Sequence, residues 1–214
     1  MDHRATVARG EHTRQAILAA AKDLFIRQGY AATTMRQVAR AAGITVAAIY
    51  NHFPGKDALF DAVLRQAAPL DEIAQLLTPP EGRTAEAALA DLFRGALDLL
   101  AVHGDYIALA LIDAQERGGA TLAALIPRVF PGFMALHDAL ARADAASLRD
   151  VPPFIFSRAL ICILIGYAFT ERILRLRPVL NLPETDWATA LADVFMHGVL
   201  KGQDSGIADN EVRP

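Results

Sequence analysis

Apolar side chains recur every three or four positions along most of this chain, and no segment alternates as a half-buried strand would. Ile17, Leu18, Ala21, Leu24 and Phe25 share one face of a helix expected over residues 13–28, with a polar, mobile arm, residues 1–12, before it and Gly29 as its stop. A second helix begins at Thr33 or Thr34. Either hydroxyl can accept from free backbone N–H groups, and Gln37 stands three residues after Thr34, as a capping box requires. Met35, Val38, Ala39 and Ala42 form its inner stripe, and Gly43 supplies the turn, where positive φ costs glycine little. Thr45 caps a third helix that extends to His52, with Ile49 and Phe53 turned inward. Beyond Pro54 and Gly55 a fourth helix starts near Lys56, carries Leu59, Phe60, Val63 and Leu64, and reaches Leu77 with a bend around Pro69. Further helices are predicted over residues 84–102, 105–117, 120–143, 153–176 and 185–201, the third of them kinked or split by Pro127 and Pro131.

The pattern predicts an all-α fold, with an N-terminal three-helix head and a larger helical ligand-binding and dimerisation domain. The expected boundaries are 1–55 for arm and head, 56–203 for the body and 204–214 for a flexible tail. Two short helices across a glycine turn form a helix-turn-helix, which lays its second helix in the DNA major groove while neighbouring groups grip phosphates. Away from Ile49 and Phe53, that second helix turns Val46, Ala47, Tyr50 and Asn51 outward. Asn51 suits an adenine edge, and Val46 and Ala47 suit thymine methyls, so direct base readout is sparse. Thr33, Thr34 and Thr45 can give hydroxyls to phosphate as well as cap helices.

Charge divides along the same boundary. The chain carries a net -3, yet residues 1–56 hold eight Lys/Arg against three Asp/Glu, while the remainder holds 13 against 21. Phosphate contact needs local positive charge rather than a basic whole protein. Chance clustering on solvated helix faces would give the same count.

The order TT-M-x-x-V-A, A-G-I-T, I-Y-x-H-F and Lys56 resembles the tetracycline-repressor (TetR/AcrR) family of transcriptional regulators, over residues 13–60. The resemblance implies that Tyr50, His52 and Lys56 contact phosphate. It also implies a homodimer on an operator, and an effector that moves the fourth helix. One departure stands out: many family members carry lysine where Val46 stands, which leaves Arg36, Arg40 or the arm, with Arg4 and Arg9, to compensate.

A single head reads too few base pairs, so a dimer on a near-palindrome is the economical solution. Ile161, Ile165 and Phe169 on one helix and Trp187, Leu191 and Phe195 on the next offer the apolar pair, which the family resemblance implies is a four-helix dimer bundle. Internal packing of the same faces is the alternative. Candidate walls for a small apolar or amphipathic effector are Phe93, Leu97, Tyr106, Leu109, Phe130, Phe133, Met134, Phe154 and Tyr167, with Asp113, Arg117, His137 and Arg158 as polar anchors.

An enzyme is the main rival class, but the chain has no HExxH pattern, glycine-rich phosphate loop or nucleophile elbow. No metal or cofactor is implied. Cys162 is the single cysteine, the N-terminus lacks a signal-peptide core, and the apolar run from Ala159 to Phe169 is short for a bilayer. These features give the expectation of a cytoplasmic protein without membrane partners. The reading is a ligand-responsive regulator, most simply a repressor; a helical small-molecule carrier without DNA binding is the alternative.

Overall fold

A computed structural model describes residues 3–78, 82–143, 151–172, 174, 179–181 and 185–199. Among these residues every regular element is helical: α1 His3–Ala32, α2 Met35–Ala41, α3 Val46–Tyr50, α4 Lys56–Ala67, α5 Leu70–Leu76, α6 Ala85–Val102, α7 Gly104–Glu116, α8 Ala120–Ala143, α9 Pro153–Arg172 and α10 Trp187–Val199. The chain forms two compact units. The first comprises residues 1–72 and 100–129, the second residues 73–99 and 130–214, so α5, α6 and α8 are divided between them. The unit that contains the head therefore extends past the expected limit at residue 55 and takes in α4 and α7. The expected tail, 204–214, lies outside the described residues.

The first unit is organised around Ile17, Phe25, Ile49, Leu59, Phe60, Leu64 and Leu109, all fully buried. Leu109 comes from α7 and closes the core that α1 to α4 begin. Phe60 stands edge-on to both Phe25 and Tyr30, with ring centroids 4.9 and 5.4 Å away. The expected mobile arm is instead helical from His3 onward. Once the packed segment has formed the helix, each added residue gains a backbone bond without a new nucleus. Side chains reinforce it, because Thr13 Oγ1 donates to the Arg9 carbonyl at 3.0 Å and Gln15 Nε2 donates to Glu11 Oε1 at 2.8 Å. At Gly29, φ is 83°, which breaks the helical path inside α1 and turns the chain toward α2.

The second unit buries Leu89, Phe93, Leu136, Leu140 and Leu160. Phe195 lies between two rings, 5.6 Å from Phe93 and 5.3 Å from Phe156. Pro127 and Pro131 do not split α8, which runs unbroken. Both prolines are exposed, as is Ala123, so carbonyls deprived of a donor can turn to water. The fourth predicted helix does break, at Ala68 and Pro69, into α4 and α5.

The expectation on membrane length needs correction. Residues 120–143 and 153–171 are each long and apolar enough to cross a bilayer by length and composition. In both helices the outward faces are incompletely covered, with 22% of the apolar window buried.

Candidate nucleic-acid interface

The helix-turn-helix is built by short-range hydrogen bonds that its sequence makes possible. Thr34 caps α2: its Oγ1 accepts from the Gln37 N–H at 3.3 Å, and the Gln37 Oε1 accepts from the Thr34 N–H at 2.8 Å. At the far end the Ile44 N–H reaches the Ala39 carbonyl at 2.9 Å and the Gly43 N–H reaches the Arg40 carbonyl at 3.2 Å. This paired closure needs a left-handed residue between, and Gly43 supplies it with φ 69°. Thr45 then caps α3 by accepting from the Ala48 N–H at 3.1 Å. The turn is thus fixed from both sides, which sets the approach of α3 to α2.

Within α3, Ile49 is fully buried, and Phe53 just beyond it is 2% exposed. Val46 and Tyr50 are 41% and 52% exposed, and Ala47 and Asn51 are exposed beside them. Thr34, Arg36, Arg40 and Thr45 are exposed as well, and His52 and Lys56 are half-buried. Asn51 sits at the helix C-cap rather than inside the helix. Gly55 is the N-cap of α4 and, having no side chain, leaves the first N–H groups of this 12-residue helix without a capping side chain.

Thr33 departs from its expected place. It is fully buried; its hydroxyl donates to the Gly29 carbonyl at 2.7 Å and accepts from Gln28 Nε2 at 3.2 Å. A group so enclosed ties the α1–α2 turn and does not meet phosphate. Lys56 also has an internal task. Its ammonium donates to the Tyr30 carbonyl at 2.8 Å and the Ala31 carbonyl at 3.3 Å, and stands 4.2 Å from the centre of the Tyr30 ring.

Behind this surface lies a polar cluster absent from the sequence reading as a unit. Arg117 binds Asp61 at 2.8 Å, Asp113 at 2.9 Å and Asp57 at 3.4 Å, and packs over Phe60 and Tyr30 at 4.7 and 5.2 Å. Burial works against its charge, but the hydrogen bond and charge of Asp61, followed by the charge of Asp113, raise its pKa. Glu116 accepts from the Ala31 N–H at 2.6 Å and from the Tyr30 N–H at 3.3 Å. The Tyr30 hydroxyl donates to Asp57 at 2.6 Å. This bond holds the Asp57 carboxyl below its usual range, and Arg117 adds to the effect. The phenol is pushed up to about 12, first by burial and then by its bond to Asp57.

The expected ligand walls are drawn from both units. Tyr106, Leu109, Asp113 and Arg117 belong to the first unit; Phe93, Leu97, Phe130, Phe133, Met134, His137, Phe154, Arg158 and Tyr167 belong to the second. Leu109 is core, and Asp113 and Arg117 are paired with each other at 2.9 Å. Phe93 is core in its own unit, whereas Phe154 is 61% exposed and Arg158 is exposed. His137 Nε2 stands 3.1 Å from the Val151 carbonyl, which requires a proton on that nitrogen. A cleft of about 430 Å³ in the first unit includes Tyr106, and one of about 490 Å³ in the second includes none of the expected residues.

The expected dimer faces divide too. Ile165 and Phe169 are 61% and 41% exposed, while Ile161, Trp187 and Leu191 are half-buried. Phe195 is 3% exposed and packs inside its own subunit against Phe93 and Phe156. It is therefore core rather than interface.

Residues 17–63 match the family model described as "Bacterial regulatory proteins, tetR family". The solved structure of NalD, described as the secondary repressor of the MexAB-OprM multidrug efflux pump in Pseudomonas aeruginosa, superposes with a TM-score of 0.65 and 26% identity, over 90% of this chain and 98% of that one. Over residues 17–63 the chain carries the TetR-family helix-turn-helix segment. Among curated TetR-type relatives, the regulator SrpR of Pseudomonas putida is 48% identical over 61 residues, 28% of this chain and 29% of SrpR. The repressor Rv3405c of Mycobacterium tuberculosis is 33% identical over 130 residues, 61% of this chain and 60% of that protein. These matches span less than two thirds of either relative's length. The chain shares with TetR-family structures an all-helical fold with an N-terminal helix-turn-helix and a larger helical domain.

Proposed function

We propose that this regulator binds a near-palindromic operator as a homodimer, represses transcription from it, and is released by a small apolar or amphipathic effector. The observation that carries the reading is the division of α3, which buries Ile49 while leaving Val46, Ala47, Tyr50 and Asn51 exposed on the other side. Asn51 reads a base edge, Val46 and Ala47 meet methyl groups, and Thr34, Arg36, Thr45, Tyr50 and His52 contact the sugar-phosphate strands. Lys56 assists through its remaining N–H and through charge at the N-terminus of α4.

Dimerisation is supported by Ile155, Ile165 and Phe169 on α9 and Val194 on α10, all exposed. A second copy covering these positions accounts for their apolar character without a membrane, in keeping with a cytoplasmic regulator. Repression is supported by relatives described as repressors, among them NalD and Rv3405c.

The test is selection of genomic DNA fragments by the full chain, followed by a screen of apolar and amphipathic molecules for release of the selected fragment. Sequence-specific, salt-sensitive binding that an effector weakens is the expected outcome. Effector binding with no DNA selected at any salt would favour the carrier alternative.

A further inference from the structure

The segment that reads DNA ends well before α7, yet α7 supplies the groups that hold it in place. The Tyr30 and Ala31 peptides lead directly into the Thr34 cap of α2, and Glu116 accepts the N–H of both. Gly29 allows this approach, since a Cβ there would stand 2.7 Å from Glu116 Oε1. One residue later, Arg117 spans Asp57 and Asp61 on α4 and Asp113 on α7, and its side chain is only 9% exposed. Asp113 in turn accepts from the N–H groups of Thr121 and Leu122 at 3.0 Å each, and the Thr121 hydroxyl donates to Asp61 at 2.7 Å. The entry to α2, the first two turns of α4 and the α7–α8 joint thus share one set of charge-assisted bonds. Such bonds are shorter and stronger than neutral ones, and although the buried Arg117 Nε has no partner, a network of them favours one geometry over neighbouring ones.

We infer that Glu116 and Arg117 are positioning residues for DNA recognition: they touch no DNA, but fix the α1–α2 turn and α4 so that the exposed groups of α3 and the N-terminus of α4 meet one duplex together. The inference rests on the DNA-binding reading above. It assigns to α7 a defined path to the head, because a shift of its C-terminal turn displaces Glu116 and Arg117 together.

The test uses a fluorescent genomic fragment selected by the wild-type chain, with Glu116→Gln, Asp61→Asn, Arg117→Met and the Asp61→Asn/Arg117→Met double variant. Glu116→Gln and Arg117→Met are each expected to weaken binding about tenfold, at temperatures where circular dichroism shows them folded. The slope of log affinity against log salt should stay at the wild-type value, because no phosphate contact is removed. The double variant should bind no more weakly than Arg117→Met alone, since both changes break one network. Should Arg117→Met fail to fold, Glu116→Gln on its exposed carboxylate carries the test.

Folded variants with wild-type affinity would overturn the inference, and so would a salt slope reduced by about one, which would make these residues phosphate contacts. Failure of the wild type to select any fragment would overturn the DNA-binding reading itself.

Discussion

Glu116 and Lys56 hold the backbone of the same two residues: Glu116 accepts the N–H of Tyr30 and Ala31, and Lys56 donates to the carbonyls of both, so the Tyr30–Ala31 peptide is bound at each end. The α1–α2 turn is thereby fixed by a carboxylate from α7 and an ammonium from α4. Lys56→Met should lower stability by about 1–2 kcal/mol, in the range for hydrogen bonds from a charged group, and lower DNA affinity as well. Urea titration beside DNA titration checks this. Reduced affinity with unchanged stability would leave Lys56 with phosphate alone.

Thr33 and Thr34 are adjacent and separable. Thr33→Ala leaves the Gly29 carbonyl and the Gln28 amide without their shared hydroxyl and should cost about 1–2 kcal/mol, with the salt slope of DNA binding unchanged. A flattened slope in a stable Thr33→Ala variant would return this residue to the interface.

The exposed position of Val46 at the first turn of α3 gives a gain-of-contact test. Val46→Lys should raise affinity and steepen the salt dependence by about 0.9 in slope for each new phosphate contact. Asn51→Ala should instead relax preference at one base in each half-site, read by competition between operator variants. Unchanged preference would remove Asn51 from base readout.

The Tyr30–Asp57 bond makes stability depend on pH at both extremes. Asp57 is held below an unfolded carboxyl, so its contribution is complete above about pH 3.9 and is lost as pH falls through the lower folded value. Tyr30 is raised to about 12, so its contribution is complete below the unfolded phenol's pKa of about 10 and is lost as pH rises toward 12. The difference in Tm between wild type and Tyr30→Phe should therefore be level from about pH 5 to 9 and shrink on either side. A level difference through pH 11 would show that the hydroxyl is not engaged.

Phe169 and Phe195 separate assembly from folding. Phe169→Glu, on the exposed face of α9, should yield folded monomers by analytical ultracentrifugation and weaken operator binding. Phe195→Ala should cost about 3–5 kcal/mol of subunit stability, because a buried ring between Phe93 and Phe156 is lost. Dimeric Phe169→Glu would move the interface elsewhere.

The head was the most legible part of the chain because its signals are local. A threonine with glutamine three residues on, and a glycine between two apolar stripes, state their hydrogen bonds within a few positions, and the capping box at Thr34 and the closure at Gly43 follow them. Period alone could not distinguish the exposed Phe169 from the enclosed Phe195, since both lie on apolar helix faces. Nor could it join Arg117 to Asp57 and Asp61, which meet only through folding over long chain separation. In the sequence Arg117 is a candidate polar anchor for an effector because it is charged. The same property serves the ion network, and sequence carries no sign of which partner is meant.

Footprinting of the selected genomic fragment with wild-type protein, titrated at several salt concentrations, tests operator recognition most directly. The expected result is symmetric protection of two half-sites, separated by a DNA turn or a multiple of it, with affinity falling steeply as salt rises. Uniform coverage without a preferred site, or no protection at low salt, would contradict sequence-specific recognition by this head.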